Sequence, residues 1–233
     1  MKDLFGKALL DYYNGNYTED IITATSISTE DVLPLPYLFR TYEEMPKLEQ
    51  EALNLANGAI LDVGCGSGCH SLYLQEKGLD VTSIDISEGA VEVASKQGLK
   101  KAHLMDFQNV KETYDTVLML MNGAGILKSV EHAPKCLAKL KEIIKPDGQA
   151  LVDSSDLSYM YHDEDEDFWV DLNASYYGEL DYFVSYKGEK EEPFSWLYLD
   201  FYLLRDLCLK SGLNCELAYE GDHYDYLARI THL

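Results

Sequence analysis

Ile60-Leu61-Asp62-Val63-Gly64-Cys65-Gly66-Ser67-Gly68 is the stretch on which the reading of this chain turns. The run from Ala59 to Val63 has the length and apolarity of a buried strand, and it delivers the chain into three glycines within five residues. Glycine takes up positive φ at no steric cost and lets a ligand approach the main chain closely. A helix, read from Ser67 to Lys77 and stopped by Gly78, follows at once. The first turn of a helix offers unpaired N–H groups, so strand, glycine loop and helix start together form a seat for a nucleotide-like ligand. A ligand-free turn needs no such run of glycines. The dinucleotide fingerprint is G-x-G-x-x-G, with an acidic residue ~20 positions further on. Here the spacing is G-x-G-x-G, and Cys69 stands where the last glycine of that fingerprint would fall. Asp85 closes the next strand and suits a ribose diol. Asp62, directly before the glycines, would repel a pyrophosphate and suits an ammonium group.

Outward from the loop, strands and helices alternate. Upstream, the pattern predicts a helix from about Met45 to Asn57, with Pro46 in its first turn and Gly58 at its end. Downstream come a strand at Asp80 to Asp85 and a helix at Ser87 to Gln97, capped by Ser87 and ended by Gly98. A brief strand at Lys101 to Met105 follows, then the fully apolar Thr116 to Met121, a strand of the kind buried on both faces. An amphipathic helix, Val130 to Ile144, ends at the turn Lys145-Pro146-Asp147-Gly148 and leads to the strand Gln149 to Asp153. This order implies right-handed crossovers and a doubly wound α/β fold, its mostly parallel sheet covered by helices on both faces.

Beyond Asp156 the rhythm changes. Tyr176 to Tyr186 and Phe194 to Tyr198 read as a hairpin around Lys187-Gly188-Glu189-Lys190. A helix at about Leu199 to Ser211 precedes two strands, Asn214 to Tyr219 and Tyr224 to Thr231, joined through Glu220-Gly221-Asp222. Such a terminal hairpin predicts one antiparallel strand in the sheet. The expected organisation is an N-terminal cap segment over residues 1–45 and one domain over 46–233, with a small, aromatic-rich β-hairpin insert at about 160–199.

Composition narrows the partners. The chain has 233 residues and a formal net charge of −22, a surface that repels phosphate backbones and anionic membranes alike. Nucleic acid and membrane are therefore not expected partners. No stretch approaches the ~20 apolar residues of a bilayer span, and Met1-Lys2-Asp3-Leu4 opens no signal-peptide pattern, so a cytoplasmic location is expected. The five cysteines are widely spaced and include no C-x-x-C pair, which indicates reduced thiols rather than a disulfide framework or zinc site.

The chain resembles the class I (Rossmann-like) S-adenosylmethionine-dependent methyltransferases. Their first motif is matched by Asp62, Gly64, Gly66 and Gly68, with Cys65 inside it; their ribose-binding acid is matched by Asp85, followed by Ile86. A pair bracketing adenine is matched by Asp106-Phe107, and Asn122-Gly123 stand where the fourth strand meets the cofactor. Ile144-Lys145-Pro146-Asp147-Gly148 is similar to the family's L-K-P-G-G turn, with Asp147 in place of the first glycine. The resemblance covers roughly residues 55 to 156 and the terminal helix and hairpin. It implies S-adenosyl-L-methionine as cofactor and a seven-stranded sheet in the order 3-2-1-4-5-7-6 with the last strand antiparallel, in keeping with the terminal hairpin.

A methyl acceptor that carries a proton needs a base. Candidates are His132, at the start of the helix after the fourth strand, His162, on the loop after the fifth, and Tyr13 (with Tyr12) from an N-terminal segment folded over the pocket. Each reads more readily as a packing or surface residue than as a base. Arg40 is a candidate partner for the cofactor carboxylate or one half of a surface ion pair. The acidic run Asp163 to Asp167 reads as a solvated loop rather than a metal site. Neither a D/N-P-P-Y motif after the fourth strand nor a Pro-Cys pair is present, which leaves a small molecule, or else a protein side chain, as acceptor of a methyl on oxygen or nitrogen. The insert's aromatics, Trp169, Tyr182 and Trp196 among them, read as a lid over an apolar acceptor or as the packing of a hairpin or homodimer contact. Two other functions compete: a nicotinamide-dependent oxidoreductase and a non-catalytic module that binds S-adenosylmethionine.

Overall fold

The computed structural model describes residues 2–161 and 175–233. His162, the acidic run, Phe168 and Trp169 lie outside the described residues. The chain opens with α1 (Leu4–Tyr13), β1 (Ile21–Thr25) and β2 (Asp31–Leu33). Then follow α2 (Lys47–Leu55), β3 (Ala59–Val63), α3 (Cys69–Glu76), β4 (Asp80–Asp85), α4 (Glu88–Lys96), β5 (Ala102–Leu104) and β6 (Tyr114–Met119). Next come α5 (Ala133–Ile143), β7 (Ile144–Ser155), β8 (Glu179–Tyr186), β9 (Glu189–Lys190) and β10 (Phe194–Leu197). The chain closes with α6 (Phe201–Lys210), β11 (Leu213–Glu220) and β12 (Asp225–His232).

The main sheet runs β11-β12-β7-β6-β3-β4-β5. Numbered along the sheet's own strands, that is 3-2-1-4-5-7-6, with β12 antiparallel to both neighbours and the β7-to-β5 strands parallel. Successive residues of a strand point to opposite faces, and the central strands are apolar on both. Leu61, Val117, Val152 and Ala228 join one core with Leu137 and Leu140 of α5 and Leu204 of α6. Their neighbours Ile60, Leu118, Leu151 and Leu227 join the opposite core with Leu48 and Ala52 of α2 and Leu74 of α3. Helices thus cover both faces, as the alternation of elements predicts.

Two expectations change in detail. The Lys145-Pro146-Asp147-Gly148 turn lies inside β7 as a bulge, between the pairs Tyr114↔Ile144 and Thr116↔Gln149, because the pairing with β6 resumes after the extra residues. The predicted hairpin is present, β10 lying antiparallel on β8 with Phe194 opposite Tyr182, but it belongs to a larger sheet. β1 pairs with the other edge of β8 (Ile22↔Ser185), and β2 pairs with β1, giving five antiparallel strands that draw on both the N-terminal segment and the insert. Lys187 and Gly188, both at positive φ, turn β8 back into β9 in the two-residue hairpin geometry that needs this conformation at both central residues.

Helix α1 fixes this second sheet to the main domain. Its N-cap Asp3 accepts from Gly6 N and also from Ser87 Oγ (2.9 Å) and Gly89 N (3.0 Å) at the start of α4. The helices touch at Gly6 and Gly89, where a Cβ on Gly89 would lie 2.5 Å from the Gly6 main chain. Leu4, Ala8 and Leu9 close a third core with Ala90, Val93, Val184 and Tyr186.

Candidate functional site

Every element of the site lies at the carboxyl edge of the parallel strands, where open α/β sheets place their ligands. Gly64, Gly66 and Gly68 have φ of 75°, 55° and 93°, so all three stand in the left-handed region. Gly64 N and Cys65 N both reach Ile84 O, tying the loop to β4. The loop is held from behind as well: Ser67 Oγ donates to Leu38 O, and Gln97 Nε2 donates to Ser67 O at 2.7 Å. A Cβ on Gly66 would meet no atom within 4 Å, so the space in front of that residue is open.

Asp85 ends β4 and faces this loop. Its Oδ2 accepts from Gly66 N (2.9 Å) and its Oδ1 from Ser87 N (2.9 Å). Each oxygen keeps a lone pair for a further donor such as a ribose hydroxyl. Burial pushes the Asp85 carboxyl up, against the two main-chain N–H groups, which favour the charged form. Ile86, beside it, is 73% exposed, an apolar surface a base plane would cover. Asp106 is exposed and caps a short 3-10 turn by accepting from Gln108 N at 2.7 Å. The Phe107 ring is in the core rather than at the surface, so its main chain, not its ring, is available to a ligand.

Asp62 lies beneath the loop, buried, and its Oδ2 accepts from Ser71 Oγ (2.7 Å), which in turn accepts from Ser83 Oγ (2.7 Å). Burial raises its carboxyl from the ordinary value. Cys65 is buried too, and burial pushes its thiol up, which leaves it inert as a nucleophile.

Next to Asp62 the structure assembles a polar cluster that sequence alone does not bring together. Arg40 is 5% exposed, not part of a surface ion pair; it donates to Glu49 Oε2 and, through the second terminal nitrogen, to Tyr37 O (2.6 Å). Its guanidinium lies over the Tyr37 ring, 4.1 Å from the centroid. His70, in the first turn of α3, meets the same Glu49 Oε2 at 2.7 Å. Burial pushes the Glu49 carboxyl up, but the His70 hydrogen bond and the Arg40 charge together hold it below the usual carboxylate range. Arg40 Nε is buried with no protein partner. A buried donor of this kind is costly unless something else accepts from it. Open space before Gly66 and an orphaned guanidinium N–H at the loop's edge fit a nucleoside with a carboxylate-bearing tail.

On the other side of β3, the chain leaves β6 through Met121 and Asn122, whose φ of 65° and 58° are strained for residues with a Cβ. The turn aims Gly123 N at Asp153 Oδ1 (2.7 Å). Asn122 itself is satisfied internally, accepting from Ser154 Oγ (3.1 Å) and donating to Leu197 O (3.3 Å). Asp153 lies at the end of β7 and lines a cavity of about 270 Å³ with Tyr37, Pro46, Leu48, Glu49, Met121 and Asp225. Burial, opposed by the N–H groups of Gly123 and Asn122, pushes the Asp153 carboxyl up to about 6.

Of the sequence candidates for a base, Tyr13 and His132 are placed apart from this cavity, and His162 lies outside the described residues. Tyr13 donates its hydroxyl to Lys96 O (3.0 Å), at the opposite end of α4 from its Ser87 cap, and Tyr12 packs on Tyr17 and Phe39. His132 stands at the N-cap position of α5 without a capping bond from its side chain, and its main-chain N–H donates to Ser129 Oγ. Neither lines the cavity. Among the described residues no group of three His, Cys, Asp or Glu is disposed to hold a metal ion, and no helix is long and apolar enough to cross a membrane.

A family model described as "Methyltransferase domain" matches residues 60–148. A solved S-adenosylmethionine-dependent methyltransferase from Bacteroides fragilis, in complex with S-adenosyl-L-homocysteine, is 44% identical over 99% of this chain and 95% of that one, with a TM-score of 0.93. Among curated relatives, a ubiquinone biosynthesis O-methyltransferase of Dechloromonas aromatica is 30% identical over 107 residues, 44% of this chain and 46% of the relative. A glycine/sarcosine N-methyltransferase of Halorhodospira halochloris is 26% identical over 171 residues, 70% of this chain and 61% of the relative. The chain thus spans about half the length of the first of these curated relatives and nearly all of the solved structure. With the cofactor of that structure in keeping with the open space at Gly66, the nicotinamide reading loses its support. The chain belongs to the class I S-adenosylmethionine-dependent methyltransferases.

Proposed function

We propose that this chain transfers the methyl group of S-adenosylmethionine to a small-molecule acceptor bound at the carboxyl ends of β6 and β7. The observation that carries the reading is the juxtaposition of two half-sites. The glycine loop and Asp85 end β3 and β4, while the cavity lined by Met121 and Asp153 lies at the adjacent ends of β6 and β7. When bound, the cofactor supplies a methyl group already made electrophilic by its sulfonium. The chain's own work is then to hold and align. Gly64 to Gly68 cradle the nucleoside, Asp85 takes the ribose hydroxyls, and Ile86 with the main chain at Asp106-Phe107 flanks the base. Arg40, with its free Nε–H, meets the carboxylate tail. Alignment of two reactants in one pocket removes much of the entropic barrier to a bimolecular transfer. The net charge of −22 supports an acceptor that is not a nucleic acid. The curated relatives methylate oxygen in one case and nitrogen in the other, both on small molecules. The deciding experiment measures release of S-adenosylhomocysteine while the protein is supplied with fractionated metabolite pools. Acceptor-dependent release from a small-molecule fraction is expected; turnover confined to protein or nucleic-acid fractions would refute the proposal.

A further inference from the structure

We propose that Asp153 is the residue that meets the methyl acceptor, and that the acceptor is a small amine held in the cavity between β7, the Met121 turn and the N-terminal segment. The proposal rests on the methyl-transfer reading and names its substrate class.

Asp153 has the position for this role. It ends the run Ala150-Leu151-Val152-Asp153, two strands from the glycine loop, is 9% exposed, and lines the cavity. At about 270 Å³ the cavity falls near the lower limit of small-molecule pockets, which suits a small acceptor rather than a macromolecular one. Among the described residues the charged side chains that line it are Glu49, Asp153 and Asp225, with no Lys, Arg or His. Glu49 is already matched by Arg40 and His70. Among the described residues Asp153 forms no ion pair; its protein donors are the main-chain N–H groups of Asn122 and Gly123, and His70 eases its ionisation without bonding to it. A buried carboxylate with no ion-pair partner favours an ammonium over a neutral hydroxyl, and a carboxylate or phosphate acceptor would meet like charge.

The chemistry balances. The amine enters as an ammonium and gives one proton through the Asp153 carboxylate to water; the neutral amine then donates a remaining N–H to Asp153, which turns its lone pair toward the methyl group. The lone pair forms the new N–C bond as the S–CH₃ bond breaks, its electron pair remaining on sulfur as a thioether. The surplus proton on nitrogen passes to the Asp153 carboxylate and then to water. Burial raises the basicity of this carboxylate above the ordinary value while leaving it charged at neutral pH, which suits a proton acceptor. The described titratable groups around it are Glu49 of α2, His70 of α3, Asp225 of β12, Tyr37, Tyr198 and Tyr226 of β12. Of these, Glu49 makes the carboxyl harder to ionise and His70 makes it easier.

The test uses the whole chain saturated with S-adenosylhomocysteine and three probes of one size: propylamine, propanol and propionate. D153N retains an oxygen to accept from Gly123 N–H, so a purely structural role for Asp153 would survive the change. Binding of propylamine, read by saturation-transfer NMR, should exceed that of propanol and propionate. It should strengthen from pH 5 to pH 7 as Asp153 ionises, and fall at least tenfold in D153N, with the pH dependence lost. Calorimetry should find S-adenosylhomocysteine affinity within twofold of the unmodified protein. Propanol or propionate binding as well as propylamine would overturn the proposal; so would an undiminished propylamine signal in D153N, or no binding by propylamine at all. Failure of the unmodified protein to bind S-adenosylhomocysteine would be a different result, one that removes the methyl-transfer reading and this proposal with it.

Discussion

Replacing Asp153 with Asn should stabilise the protein at neutral pH, and the gain should depend on pH in a defined way. Burial pushes this carboxyl from 3.8 up to about 6. Its folded-state affinity for the proton therefore exceeds its unfolded-state affinity, so the native state binds more protons between those two values. The sign follows: stability contributed by this group is greatest in acid, falls as pH rises from about 4 to about 6, and is flat above. A shift of roughly two units is about 3 kcal/mol of destabilisation at pH 8, of which about 1 kcal/mol is already felt near pH 4.5. Asn reproduces the neutral form and keeps an acceptor for Gly123 N–H, at 2.7 Å in the native protein. The stability difference between D153N and the unmodified protein should thus move in favour of the variant by about 2 kcal/mol between about pH 4.5 and about pH 8. Urea unfolding followed by circular dichroism at both pH values measures it. The general effect of acid on a chain of net charge −22 cancels in the difference. A gap that is independent of pH, or that moves against the variant as pH rises, would refute the reasoning. Retention of a destabilising carboxylate is what a residue kept for chemistry rather than for packing should show.

Two further perturbations test the scaffold around the site. Gly89→Ala places a Cβ 2.5 Å from the Gly6 main chain and should undock α1 from α4, at a cost of about 1–3 kcal/mol; faster limited proteolysis near the N-terminus is the expected readout, and unchanged protection would show that the helices move apart freely. Arg40→Met leaves Glu49 buried with only His70 beside it and should destabilise the fold by about 3–5 kcal/mol in urea melts. The double variant Arg40→Met, Glu49→Leu should recover much of that loss; no recovery would mean that the cost lies in packing against Tyr37 rather than in the stranded charge.

The main sheet was legible because its signals are local. Short apolar runs ending in glycine or acidic residues, separated by helices with Ser87 or Pro46 at their starts, carry the strand order with little help from distant contacts. β1 and β2 were not legible. Ile21–Thr25 shows one buried residue followed by four half-buried ones, so no alternation marks it, and its strand pairing with β8 spans some 160 residues of chain. The Lys145 to Gly148 segment carries turn residues, yet the pull of β6 on either side converts it to a bulge within β7. At the site, the glycine loop and Asp85 sit next to one another in motif and in space. The Arg40–Glu49–His70 cluster joins three separate segments, and no spacing rule connects them. Asp153 did carry a signal, a lone carboxylate ending a run of buried apolar residues, but it read simply as the end of a strand. Arg40, a lone cation ahead of the first domain helix, proves to lie buried against Glu49 with one N–H still free.

The central claim is that the open space before Gly66, bounded by Asp85, receives an adenosyl sulfur nucleoside. Calorimetric titration with S-adenosylhomocysteine, S-adenosylmethionine and NAD tests it most directly, alongside Gly66→Val, whose side chain would occupy that space from a residue at φ of 55°. The account predicts one site for each sulfur nucleoside, no heat with NAD, and loss of both sulfur nucleosides in Gly66→Val with the fold intact. Binding of NAD but of neither sulfur nucleoside, or unaltered binding in a folded Gly66→Val protein, would contradict it.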